Sequence, residues 1–233
     1  MPRSPEPARE ALIAVAERLF AERGVDAVPV GDIVKAAGQR NSSAVQYHFG
    51  SKAGLLKAIL DSHQDRLDAQ RAKMLDELDE LGERPGFDAL IEVLVRPLAS
   101  LLDNESGRHY IRIRAQLVSA ARLPSDSDLM REVIAGTGGG KISAEPRPGI
   151  RRVAQALVEL VDDAQMADLG HRLTLTAVLL LHGLADFAQR HPDATAAERE
   201  AFTGVLTRSV AAINLVDSRT DDSAANRHGH QPH

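Results

Sequence analysis

Between Leu55 and Leu81 the chain contains neither glycine nor proline, the two residues that most often end a helix. That uninterrupted run predicts one long helix, opening on "GSKAGLL" with Ser51 as its N-cap and reaching about residue 80. Everything else must pack around such a rod, and the flanking segments are themselves helical in period. Leu12, Ile13, Ala16, Leu19 and Phe20 recur at helical spacing ahead of Gly24, a natural C′ residue, which predicts a helix over 8–23. A short helix follows over 31–37 with Ile33, Val34 and Ala37 inward. Gly38 ends it, and a third helix is expected over 42–48.

After "LGERPG" the pattern restarts. Phe87, Leu90, Ile91, Leu94, Val95, Leu98, Leu101 and Leu102 form an apolar stripe in which Pro97 is placed to kink the helix. Residues 107–122 are apolar on two sides, with Tyr110, Ile113 and Leu117 on one and Ile111, Ala115 and Val118 on the other. Such a helix is sandwiched between layers. A further helix is expected over 126–135, capped by Ser125 or Asp126, and "GTGGGKISAEPRPG" reads as a loop. Helices near 150–162, 167–190 and 196–215 follow, then a polar tail from Asp217 with the composition of disorder. Alternating strand patterns and internal repeats do not compete with this reading. Ala and Leu dominate and aromatics are only 3% of residues, which also favours helix over sheet. The expected fold class is all-α.

A chain of 233 residues accommodates one large domain, or a small one joined to a larger. The lack of cysteine removes disulfides, thiolate metal sites and cysteine nucleophiles together, and suits a reducing cytoplasm. "MPRSPEPARE" has no apolar signal-peptide core, and "LTLTAVLLLHGLADF" is too short and interrupted to span a bilayer. A cytoplasmic location with no membrane partner is expected. The net charge of −5 gives no general basic signature, but charge is unevenly spread. Residues 1–55 carry net +1, and between Lys35 and Lys73 seven bases stand against three acids. The front of the chain is locally positive, which gives weak support for an anionic partner.

Enzyme readings find little purchase. "GTGGGKIS" fails as a phosphate loop, because Ala135 stands where the first glycine belongs and Ile142 follows the lysine. Asp168 and His171 have the spacing used in helical di-metal sites, yet a second acid-x-x-His is missing. His191, beside Pro192, reads as a helix end, and His228, His230 and His233 as a tail able to bind metal adventitiously. Neither His-Glu-x-x-His nor Gly-x-Ser-x-Gly occurs. The expectation is a protein with no enzymatic activity, catalytic residue, metal or cofactor.

The informative stretch is "GDIVKAAGQRNSSAVQYHFGSKAGLLKAIL". Two short helices joined across a glycine match a helix-turn-helix. On the second, Val45 and Phe49 lie four apart and can pack on Ile33 and the first helix. Ser43, Gln46 and Tyr47 share another side, with Arg40, Asn41 and Ser42 at the leading end. Hydroxyl, amide and phenol groups can bond base edges and phosphate oxygens. Lys52 and the free N–H groups of the next helix could hold a phosphate. Period alone leaves open a plain amphipathic helix with a solvated face.

This stretch resembles the DNA-binding domain of TetR-type transcriptional regulators over roughly residues 8–60. The shared marks are the Asp-Ile pair, the Ala-Ala-Gly turn, His-Phe, Ser-Lys and Leu-Leu. Three features depart from the family pattern. Ten residues, 39–48, separate Gly38 from Phe49 instead of nine; Gln46 occupies the usual aromatic position, with Tyr47 next; and Pro29 replaces the hydroxyl cap of the second helix, where Asp32 compensates electrostatically.

The resemblance implies a helix-turn-helix domain over 1–55, a long connecting helix, a helical effector-binding and dimerisation domain over 56–216 and a tail over 217–233. It gives Tyr47, His48 and Lys52 phosphate or groove-edge roles, and makes Arg40, Asn41, Ser42, Ser43 and Gln46 candidates for base or backbone contact. The implied function is a repressor that binds a palindromic DNA operator as a homodimer and is released by a small-molecule effector. The apolar helices 167–190 and 196–215 are the natural dimer elements. His109, Tyr110, Arg114, Gln116 and His182, which interrupt apolar faces, are candidates for orienting the effector. A helical ligand-binding or scaffold protein that does not bind DNA is the alternative.

Overall fold

The computed structural model describes residues 5–41, 43–82, 84–120, 147–160 and 163–214, and every regular element among them is helical. The N-terminal helices are α1 (Pro5–Arg23), α2 (Val30–Ala36) and α3 (Ala44–Phe49). Then come α4 (Lys52–Glu80), α5 (Phe87–Ala99), a 3₁₀ turn (Ser100–Asp103) and α6 (Glu105–Ala120). The last three are α7 (Pro148–Val158), α8 (Asp163–Arg190) and α9 (Ala196–Asn214). The expected helix over 126–135, most of the glycine-rich loop, the Asp168 side chain, Ser42 and the tail from Asp217 lie outside the described residues.

The unbroken run does make a rod. α4 has 29 residues, about 44 Å at 1.5 Å per residue, and Ser51 caps it by accepting the Gly54 N–H at 2.9 Å. Gly82, at φ 75°, turns the chain away at its far end. The expected domain boundary at residue 56 therefore falls inside a continuous helix. Pro97 is buried within α5 without ending it, and the winding tightens to 3₁₀ at Ser100, whose hydroxyl donates to the Pro97 carbonyl at 2.7 Å. α6 is sandwiched as its two apolar sides require. Tyr110, Ile111, Ile113, Ala115 and Leu117 are all buried, between α1 and α8.

One continuous apolar core runs from α1–α3 along α4 into α5, α6, α8 and α9. A smaller cluster of Leu75, Leu90, Val93 and Val153 joins α4, α5 and α7. α7 docks on α4 largely through charge. Arg147 reaches Asp61 and Asp65 at 3.0 and 2.7 Å, and Arg152 reaches Asp76 and Asp79 at 2.7 and 2.9 Å. Between these pairs the Asp68 carboxylate accepts the backbone N–H groups of Gly149 and Ile150 at 2.9 and 2.8 Å. It thereby caps the start of α7 from another helix. The contact is so close that a Cβ on Gly149 would stand 2.5 Å from the Asp68 carbonyl oxygen.

α8 and α9 form an antiparallel hairpin. Phe187 stacks on Phe202 at 4.3 Å, Gly183 faces Leu206, and the Asn214 amide donates to the Thr176 hydroxyl at 2.8 Å.

A buried polar node ties the two halves together. His63 of α4, 2% exposed, contacts the Glu17 carboxylate of α1 at 2.5 Å. Ser106 of α6 donates to the other Glu17 oxygen at 2.7 Å, and Tyr110 stacks on the His63 ring at 4.5 Å. Removing one member strands a buried polar partner. His63→Ala is therefore expected to cost about 3–5 kcal/mol of unfolding free energy, read from the midpoint and slope of urea denaturation.

Candidate nucleic-acid interface

α2 begins after Pro29, which supplies extended backbone but no side-chain cap. Asp32 lies in the first turn, 3.8 Å from Arg23 of α1. Ile33 and Val34 are buried, and Gly38 takes the left-handed conformation (φ 66°) that lets the chain turn sharply. α3 does not start at residue 42, as its sequence suggests. Asn41 Oδ1 accepts the Ser43 N–H at 2.9 Å and the Asn41 carbonyl accepts the Ala44 N–H at 3.1 Å. This side-chain turn competes with the helix and holds the start back to Ala44. At its other end α3 runs one residue beyond the expected 48, to Phe49.

The two faces of α3 separate cleanly. Ala44 and Val45 are buried, and Phe49 is half-buried beneath the Arg9 guanidinium, 5.5 Å from its ring. Arg40, Asn41, Ser43, Gln46 and Tyr47 are all exposed, Tyr47 at 77%. His48 is half-buried, edge-on to Tyr47 at 4.9 Å. Ser43 sits at the N-cap position without making a cap bond, so its hydroxyl is not committed to the helix. The outward surface thus offers a hydroxyl, two amides, a phenol and a guanidinium on one short helix and its leading turn.

Lys52 is turned partly inward. Its ammonium donates to the Asp26 carbonyl at 3.4 Å and lies 5.7 Å from the Phe20 ring. Burial holds it below the usual lysine range, and the Asp26 charge offsets part of that shift. As placed, it fastens the start of α4 to the α1–α2 loop. Gly50 (φ 73°) and Gly54 complete the junction. A Cβ on Gly54 would meet the Phe49 carbonyl oxygen at 2.0 Å, so α4 approaches the end of α3 as closely as it does only because Gly54 has no side chain. The sequence reading named Ser51 but overlooked Gly54. Its signal was a glycine at the fourth position after Gly50, in the first turn of a helix that otherwise excludes glycine.

The five effector candidates are scattered. Tyr110 stacks on His63, the Gln116 amide donates to the Phe20 carbonyl at 3.3 Å, and exposed His182 meets the Ser119 hydroxyl at 3.0 Å. His109 lies 3.9 Å from Glu105; burial lowers its pKa, partly offset by that carboxylate. Arg114 is half-buried on the α6 face that carries Tyr110. An apolar cleft of about 80 Å³ lies elsewhere, between α5, α7, α8 and the end of α9, lined by Phe87, Ile91, Leu94, Leu157, Leu173 and Thr176 among others. None of the five lines it.

A buried apolar side, a glycine turn and an exposed polar side on the second of two short helices define a helix-turn-helix. Residues 12–59 match the family model for bacterial regulatory proteins, tetR family. The chain is 41% identical over 76 residues to a probable HTH-type transcriptional regulator, ArpR of Pseudomonas putida, covering 32% of this chain and 36% of that protein. It is 30% identical over 107 residues to the HTH-type transcriptional regulator AcrR of Shigella flexneri, covering 45% and 46%. It therefore spans under half the length of the curated relatives it matches. The crystal structure of NalD, the secondary repressor of the MexAB-OprM multidrug efflux pump in Pseudomonas aeruginosa, shares the fold along 89% of this chain and 96% of its own, with TM-score 0.52 and 22% identity. Over its N-terminal helices this chain is thus similar to bacterial regulatory proteins of the tetR family.

Gly54→Ala forces α3 and α4 apart. It is expected to cost about 1–3 kcal/mol, the range for overpacking, read in urea.

Proposed function

We propose that this chain is a DNA-binding transcriptional repressor that grips a palindromic duplex as a homodimer and lets go when a small-molecule effector binds. The observation that carries this reading is the outward projection of Ser43, Gln46 and Tyr47 while Ala44 and Val45 of the same helix are buried. Residues to 55 form the DNA-binding unit, and 56–216 the effector and dimer unit. Arg40, Asn41, Ser42, Ser43 and Gln46 meet bases or backbone at the front of α3, while Tyr47 and His48 meet the flanking strand. Lys52 meets phosphate only if it releases the Asp26 carbonyl. We assign no catalytic step.

Dimerisation rests on the α8–α9 hairpin. Leu175 is 55% exposed and Val205 53%, on helices whose other faces are buried. Large apolar side chains left in water are stabilised by a partner surface. A helix-turn-helix dimer places its reading helices about 34 Å apart, one turn of duplex. An effector that shifts α4 changes that separation and so lowers affinity, and DNA must lower effector affinity by the same factor.

Selection of bound duplexes from a random pool tests the reading, with a palindrome expected. Material that captures no duplex at low salt would favour a helical binding protein without DNA function. Gln46→Ala is expected to relax preference at one base pair per half-site by about 1–3 kcal/mol, seen as a changed selected motif. Leu175→Asp combined with Val205→Asp is expected to move the chain to monomer in sedimentation at micromolar concentration, with its helical content retained.

A further inference from the structure

Arg71 is the anomaly of the helical domain. It lies on the buried face of α4, only 9% exposed, and its Nε has no hydrogen-bond partner. No ion pair involves it among the described residues. The nearest carboxylate along its helix face, Asp68, has both oxygens taken by Gly149 and Ile150 N–H groups and so is already committed to α7. A second cation, Arg114 of α6, is close enough to repel it, while Tyr110 and Asp68 only partly counter the burial that lowers the Arg71 pKa. A buried guanidinium left short of partners is costly.

The surroundings define what would relieve it. On α4, Arg71 sits one turn from Leu67 and one turn from Leu75, both buried. On α6, Arg114 sits four residues after Tyr110 and three before Leu117, and both of these are buried too. Two cations are thus set into apolar stripes on neighbouring helices. We propose that Arg71 and Arg114 form the anion-binding end of a site for a small organic carboxylate with an apolar body, where α4 faces α6. This deepens the effector reading above. A group bound there lies beside Tyr110, which stacks on His63, which in turn contacts Glu17 of α1. Occupancy therefore has a packed route to the helix-turn-helix.

The test uses the full chain without DNA. Octanoate and benzoate are titrated calorimetrically against octanamide and benzamide, which match their shape without the charge. At least one carboxylate is expected to bind, its amide about tenfold or more weaker, and Arg71→Met to lose the carboxylate by a similar factor. Arg71→Met without ligand is expected to melt at or above the wild-type temperature, because it removes an under-paired buried charge. Arg114→Met should weaken the carboxylate while leaving the melt nearly unchanged. Equal binding of acid and amide, no binding by either carboxylate at millimolar concentration, or a melt of Arg71→Met several degrees below wild type would each overturn the site. A carboxylate that binds through Arg71 yet leaves duplex affinity unchanged in a gel shift would leave the site standing and sink the effector reading instead.

Discussion

The contact between Glu17 and His63 holds the architecture together. It joins the first of the N-terminal helices to the 29-residue α4, and Ser106 and Tyr110 bring in α6 at the same point. Because α4 is unbroken across the expected domain boundary, the two halves share one core and have no flexible linker between them. A displacement of α4 in the helical domain therefore becomes a displacement of α1 and α3. Close-packed interiors transmit strain instead of absorbing it, so the helices packed on α4 would feel its movement.

Charge does different work in the two halves. Of the seven bases between Lys35 and Lys73, Lys57 pairs with Asp61 and Lys73 with Glu77, Arg66 donates to His63, and Arg71 is buried. Lys52 is bonded back to the α1–α2 loop. The positive stretch in the sequence is therefore not one positive surface. The exposed side of α3 presents chiefly neutral donors and acceptors, which suits contacts decided by geometry over contacts decided by field strength. In the helical domain, by contrast, charge sets registration. Arg147, Arg152 and the start of α7 meet the acids of α4 at fixed intervals along the rod.

Much of this was legible in the chain. The long helix followed from the want of glycine and proline, the cap from Ser51, the sandwiched α6 from its two apolar sides, and the inward and outward faces of α3 from residues 43–49. Those readings hold because helical period and capping are local, and a local signal survives in the order of residues. The start of α3 was misplaced because Asn41 can bond its neighbour's N–H instead of entering the helix, a competition that composition does not resolve.

The residue order by itself determined the all-helical class, the helix-turn-helix and the likeness of residues 12–59 to the tetR family, since periodicity, turn glycines and short motifs depend on near neighbours. Tertiary structure alone decided which charges are spent and which are left over. Lys52 turns inward, Asp68 caps a helix 81 residues away, and Arg71 is buried without a full set of partners. Each of these depends on what another helix brings alongside, and that is set by packing the rod against its neighbours.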